Sequence, residues 1–195
     1  MTAFSKKFRH NTMISYSFCP VCGKPLSEGI IEGRSRMVCT DCGWIHYRNP
    51  LPVAVAYTVN RHNELLVIRR AHEPAIHEWA LPGGFLEEGE EPHEGCLREL
   101  MEETSLDGQV ERLIGIYHRN VELYGSLLVV AYKVVVDDHE RMAPNHEVSE
   151  AGFFTEYNRP QINIPLHRLI IEENRRFEAL AGTPGETVPE ISGSF

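Results

Sequence analysis

Residues 84–106 read GFLEEGEEPHEGCLRELMEETSL. Pro92 suits the first position of a helix, and Glu90, Glu91 and Glu94 crowd its first turn, where negative charge complements the macrodipole. The spacing predicts a helix over 92–104. Cys96, Leu97, Leu100, Met101 and Thr104 form one stripe for the core. Glu99, Glu102 and Glu103 fall on another arc, about 100° wide at 3.6 residues per turn. Like charges at this spacing repel each other, and only Arg98 is near enough in sequence to offset them. Such a face makes sense if divalent cations occupy it, and oxygen-rich sites of this kind suit Mg²⁺ or Mn²⁺. A solvated acidic face is the alternative. The preceding loop, with Gly83, Gly84 and Gly89, favours the metal reading because it can bring backbone groups and Glu90 to the same site.

The stretch resembles the Nudix box, G-x5-E-x7-R-E-U-x-E-E-x-G-U, where U is a bulky aliphatic residue. Gly84, Glu90, Arg98, Glu99, Leu100, Glu102, Glu103 and Leu106 match. Ser105 stands where the pattern has the glycine that helps end the helix, and Gly108 is expected to supply the turn instead. The resemblance implies hydrolysis of a nucleoside diphosphate linked to another group, with one to three Mg²⁺ or Mn²⁺ bound. It makes Glu102 and Glu103 metal ligands and Glu99 a third ligand or the base. Arg98 would orient the glutamates, Glu90 would brace the loop, and the carbonyl of Gly83 or Gly84 would complete the coordination. Glu147 and Glu150 are further candidates for the base, with Glu150 preferred on its place in a later acidic segment.

Outward from the box, 77–84 (HEWALPGG) is similar to the family's lead-in and 147–154 (EVSEAGFF) to its later acidic strand. Alternation from Leu51 to Val59, the short run Leu65–Ile68 and the turn Asn60-Arg61-His62-Asn63 predict a hairpin. Further strands are expected over 110–118, 127–136 and 151–155, and a last helix from Pro165. Strands mixed with two helices indicate an α/β or α+β domain. The resemblance narrows this to α+β, a Nudix α/β/α sandwich around a mixed sheet.

Upstream, Cys19-Pro-Val-Cys22 and Cys39-Thr-Asp-Cys42 form two C-x2-C pairs, each followed by glycine. The spacing fits a four-thiolate zinc site with a structural role. Iron–sulfur ligation and free redox thiols are the alternatives. Segment 17–50 is too small for its own core and needs such a staple. A ribbon ahead of this box is similar to the NADH pyrophosphatase branch, but that branch's S-Q-P-W-P-F-P run is missing and 113–120 (LIGIYHRN) follows instead. The arrangement is closer to ribbon-bearing ADP-ribose and FAD pyrophosphatases. NADH or nucleoside-triphosphate hydrolysis and a catalytically silent nucleotide sensor remain as alternatives.

The expected organisation is a tail over 1–16, a zinc ribbon over 17–50, a Nudix domain over 51–180 and a tail over 181–195. The first 27 residues are free of acid and carry Lys6, Lys7, Arg9 and His10. They read as a frayed tail rather than a transit peptide. The chain has 195 residues, 42% hydrophobic and 24% charged, which excludes a disordered chain or a fibre. No run approaches the roughly 20 apolar residues of a membrane-spanning helix. The net charge of -9 disfavours nucleic acid as a partner. The paired thiols suit a reducing compartment, so a cytoplasmic protein is expected. A diphosphate nucleotide is the expected partner, and the family resemblance implies a homodimer.

Overall fold

The computed structural model describes residues 16–137 and 142–181. Most of the expected tails lie outside the described residues. The chain divides into two compact units. One runs to Leu51 and includes Asn120–Leu127; the other comprises Pro52–Arg119 and Leu128 onward.

In the first unit, β1 (Ser27–Ile31) and β2 (Arg34–Val38) pair antiparallel. Between residues 16 and 48 only Cys19 and Cys39 are buried. There is no apolar core here to offset chain entropy, so the fold depends on the staple that the sulfurs can form.

The second unit is built on a sheet ordered β5-β4-β3-β8-β7, with β6 paired to β3 and β9 to β4. Its strands are β3 (Leu51–Asn60), β4 (Leu65–Arg70), β5 (Trp79–Ala80), β6 (Gly83–Phe85), β7 (Gln109–Val121), β8 (Gly125–Val136) and β9 (Val148–Phe154). With helices α1 (Pro92–Thr104) and α2 (Pro165–Ala181), this is the expected α+β architecture with a mixed sheet. The β3–β4 hairpin closes where the sequence places its turn: the Asn60 side-chain oxygen accepts from the backbone N–H of His62 at 2.9 Å and of Glu64 at 3.0 Å. The expected strands over 110–118, 127–136 and 151–155 are longer, because ladder pairing continues past their apolar centres.

Cys96, Leu100 and Leu106 pack with Ala54, Ala56, Leu66, Val134 and Val136. Each fully buried leucine contributes about 1.5–3 kcal/mol. Two expectations for the helix stripe need correction. Met101 is 42% exposed, whereas Glu103 is only 4% exposed. The buried arc is rotated toward the loop before the helix, so Glu103 rather than Met101 meets the body of the domain. The helix end also differs from expectation. Ser105 itself takes the left-handed conformation, φ 60° and ψ 22°, and its N–H donates to the Met101 carbonyl at 2.8 Å. A non-glycine residue is tolerated because its hydroxyl donates to the Ala143 carbonyl at 3.1 Å.

His167 on α2 accepts a 2.9 Å hydrogen bond from the backbone N–H of Leu81. Burial, aided by the charge of Arg70, holds its imidazole down at about 4. The folded pKa lies below the ordinary histidine value, so the unfolded chain binds the extra proton between pH 6.5 and 4. Stability is therefore expected to fall by up to about 3 kcal/mol across that window. His167→Asn, which keeps an acceptor for Leu81, should flatten this acid limb in urea titrations at pH 7, 5.5 and 4.5.

Candidate active site and ribbon metal centre

Arg98 is the hub of the acidic helix. Its Nε donates to Glu90 Oε1 at 2.7 Å, and Nη2 donates to Glu90 Oε2 at 3.0 Å and to the Phe85 carbonyl at 2.9 Å. Nη1 donates to Glu99 at 2.9 Å and to Glu102 at 3.2 Å. A planar five-donor fork can serve three carboxylates and a carbonyl together, which an ammonium point charge cannot. The hydrogen bonds from Arg98, with the backbone N–H of Glu87, hold Glu90 down at about 2. The Arg98 guanidinium is correspondingly pushed up, mainly by Glu90. Arg98→Lys is expected to keep the charge but lose the loop brace. We expect metal-dependent turnover to fall about a hundredfold, the loss typical of disturbed positioning groups. Steady-state rates at saturating metal check this.

Glu103 sits apart from that hub. Its Oε2 accepts from the Gly83 N–H at 2.9 Å, and burial raises its carboxyl to about 8, opposed by that bond and reinforced by Glu99 and Glu147. Glu99 is also raised, first by burial. Gly84 lies directly against Glu99: a Cβ there would come within 2.4 Å of the carboxylate. This close approach explains the glycine at that position of the box.

Glu147 reaches the cluster through a loop pinned to the end of α1. Ala143 N–H donates to the Thr104 carbonyl at 2.8 Å, Asn145 N–H to the Glu103 carbonyl at 3.3 Å, and Ala71 N–H to the Glu147 carbonyl at 2.8 Å. The first two of these bonds satisfy helix-end carbonyls that would otherwise be orphaned. The charge of Glu147 acts on both Glu99 and Glu103. Glu150 is placed differently: it pairs in register with Arg69, and its carboxylate stands 3.5 Å from Arg69 Nη1. Tyr57 is buried, Trp79 meets Phe154 edge-on at 5.8 Å, and Tyr117 donates to Glu173. No spacing rule marks the Phe85 carbonyl or the pinned loop, because both act through backbone contacts made only on folding.

Glu99, Glu102 and Glu103 suit hard cations, since burial and mutual repulsion leave Glu99 and Glu103 reluctant to ionise without one. They do not form a single tight cage. Among the described residues, the one set of three or more potential ligand groups lying within 4.8 Å of one another is Cys19, Cys22, Cys39 and Cys42. There Cys19 Sγ lies 3.6 Å from Cys42 Sγ, and Cys22 Sγ lies 3.5 Å from Cys39 Sγ. Tetrahedral Zn²⁺ with bonds of about 2.3 Å sets sulfurs roughly 3.8 Å apart, so the thiolates fit zinc. Two matching knuckles build the set: Gly23 N–H donates to the Cys19 carbonyl at 2.9 Å and Gly43 N–H to the Cys39 carbonyl at 3.0 Å. Both glycines have positive φ, 73° and 77°. The backbone N–H of Cys42 draws the Cys39 thiol down to about 7, whereas Cys22, despite the backbone N–H of Lys24, is pushed up to about 12 by Cys39 and burial.

A family model described as "NUDIX domain" matches residues 49–168. The chain belongs to the Nudix family. A second model, "Nudix N-terminal", a zinc ribbon, matches residues 17–48. An ADP-ribose pyrophosphatase from Methanocaldococcus jannaschii is 33% identical over 127 residues, which cover 65% of this chain and 74% of that protein. The crystal structure of a NUDIX hydrolase from Nitrosomonas europaea superposes with a TM-score of 0.72 at 25% identity, covering 84% of this chain and 93% of the other. The NUDIX domain of Shewanella oneidensis NrtR, solved with ADP ribose, has a TM-score of 0.58 at 21% identity over 68% of this chain and 90% of that domain, and shows the shared fold. As a Nudix hydrolase with an N-terminal zinc ribbon, the chain matches the reading of its box and its thiol pairs. Among the described residues, no helix is long and apolar enough to cross a membrane.

Proposed function

We propose that this Nudix hydrolase is a Mg²⁺- or Mn²⁺-dependent pyrophosphatase that cleaves a nucleoside diphosphate linked to another group, with ADP-ribose the first candidate and FAD the second. The observation that carries this reading is the Arg98-organised set of Glu90, Glu99 and Glu102 beside the buried Glu103. The archaeal relative named an ADP-ribose pyrophosphatase supports the substrate class. Glu99, Glu102, Glu103 and the Gly84 carbonyl would hold the cations. Bound divalent cations would neutralise the diphosphate and acidify the attacking water. The chain's own groups do the rest. Arg98 fixes the carboxylates that face the diphosphate, and the Gly83 N–H orients Glu103. Of the two base candidates, Glu147 is better supported than Glu150, because its charge already acts on the cluster while Glu150 is drawn to Arg69.

The 13-residue edge strand β7, with Leu113 and Ile116 exposed, supports the homodimer that the family resemblance implies. The five free cysteines suit a reducing, cytoplasmic setting.

The test is hydrolysis of ADP-ribose, FAD, NADH, NAD⁺, diadenosine polyphosphates and nucleoside triphosphates with and without Mg²⁺ or Mn²⁺. Metal-dependent turnover of ADP-ribose to two phosphomonoesters supports the proposal. Tight nucleotide binding with no turnover of any compound would replace it with the sensor reading.

A further inference from the structure

Asn145 stands between two glutamates of the acidic site and touches the main chain of both. It opens the tight turn that leads into β9, where the Val148 N–H donates to its carbonyl at 3.3 Å. Its side-chain oxygen accepts from the backbone N–H of Glu147 at 2.8 Å. A backbone N–H can only donate, so the side-chain atom that faces it is the oxygen and not the amide nitrogen. The N–H of Asn145 itself donates to the Glu103 carbonyl, in the last turn of α1, at 3.3 Å. One half-buried residue thus ties the buried box glutamate to Glu147. Along the chain the same two glutamates are joined only through β7, β8 and the loop after them.

The main chain of Glu147 is held on both sides. Asn145 takes its N–H, and its carbonyl accepts from the Ala71 N–H at 2.8 Å. The side chain is left free by comparison. Its carboxylate is 56% exposed, and His146 Nε2 stands 3.9 Å away, beyond hydrogen-bond reach. A fixed backbone with open oxygens is what a proton acceptor needs, because the chain sets the place and water can still reach the oxygens. The action of the Glu147 charge on Glu99 and Glu103 agrees with this placement.

We propose that Asn145 is a positioning residue for hydrolysis: its side chain fixes Glu147 relative to Glu103, so that the Glu147 carboxylate can take a proton from the attacking water. The assignment rests on the reading of Glu147 as the base. The water proton passes to Glu147, the water oxygen bonds phosphorus, and the bond from that phosphorus to the bridging oxygen breaks, leaving two phosphomonoesters. Without the Asn145 acceptor, the turn loses its hold on the Glu147 N–H and Ala71 alone keeps the main chain in place. A displacement of about 1 Å at a reacting group can cost about a hundredfold in rate.

The test is steady-state hydrolysis of ADP-ribose at saturating Mg²⁺ by the full-length, zinc-loaded protein. Wild type is compared with Asn145→Leu, Asn145→Asp, Glu147→Gln and the double variant Asn145→Leu/Glu147→Gln. Leucine keeps the size of the side chain and removes the acceptor, so kcat should fall about ten- to a hundredfold with KM within about twofold. Asn145→Asp keeps an acceptor oxygen and should recover most of that loss. The double variant should be no slower than Glu147→Gln, because Asn145 acts through Glu147. Hydrogen exchange at the Glu147 amide should be faster in Asn145→Leu and stay slow in Asn145→Asp. If thermal melts show Asn145→Leu unfolded at the assay temperature, Asn145→Ala carries the same expectation. Asn145→Leu at the wild-type kcat beside a slow Glu147→Gln overturns the positioning role and leaves the base reading standing. A double variant slower than Glu147→Gln by the full Asn145→Leu factor does the same. Glu147→Gln at the wild-type rate, or an idle wild type, overturns both.

Discussion

Glu103→Gln is expected to lose at least about a thousandfold in metal-dependent hydrolysis while making the metal-free protein more heat-stable at pH 9. The loss follows from removing a charged cation ligand in a buried site, where such stabilisation is worth several kcal/mol of barrier. The gain in stability follows from linkage. Burial raises the Glu103 carboxyl to about 8 from 4.5, so the folded state binds its proton more tightly than the unfolded chain. The stability of that neutral form is complete below pH 4.5 and is lost as pH rises through 8. Above pH 8 the wild type must keep a carboxylate buried among Glu99 and Glu147, at a cost of a few kcal/mol. Glutamine stays neutral and can still accept the hydrogen bond from the Gly83 N–H. Thermal melts of both proteins at pH 6 and pH 9, with and without Mg²⁺, check this. Wild type should gain on adding Mg²⁺ and the variant should not. A variant that melts below wild type at pH 9 without metal would contradict the linkage.

Removing the ribbon metal should melt β1 and β2 while β4 and α1 keep their amide protection. Between residues 16 and 48 the buried positions are two of the four thiol ligands. Among its described residues, no fully buried apolar side chain remains to hold the segment once the metal leaves. Structural zinc contributes about 10–16 kcal/mol of binding energy that is also folding energy. Titrating the thiols in native buffer should release one zinc per chain, and hydrogen exchange over 27–38 should then approach the unfolded rate. Cys39→Ser should reproduce this, because it removes a buried ligand. Released iron with visible absorbance would replace zinc by an iron–sulfur centre. Persistent protection of the metal-free ribbon would show a core that the burial pattern does not contain.

Much of the molecule is legible in the chain because its information is local. The start of α1 at Pro92, the β3–β4 turn and the thiol knuckles depend on dihedral preferences and on spacings of a few residues. The box also identifies Arg98, Glu99, Glu102 and Glu103 as one group, since a helix places i, i+3 and i+4 together whatever surrounds it. What surrounds it is a different matter. Helical periodicity cannot say how far the buried arc extends, so Met101 was expected inside and Glu103 outside. Docking of α1 against the Gly83 loop reverses both.

Sequence alone determined the family fold, the thiol staple and the set of acidic groups, because each is written in short-range spacing. Tertiary structure decided which glutamate is buried and which three face Arg98. It also set the charge of Glu147 against Glu99 and Glu103 and the carboxylate of Glu150 beside Arg69, and it let Ser105 end the helix without glycine. Those outcomes rest on backbone hydrogen bonds and desolvation between segments up to about 80 residues apart, as between Arg69 and Glu150. Their energies exist only once the chain has closed around them.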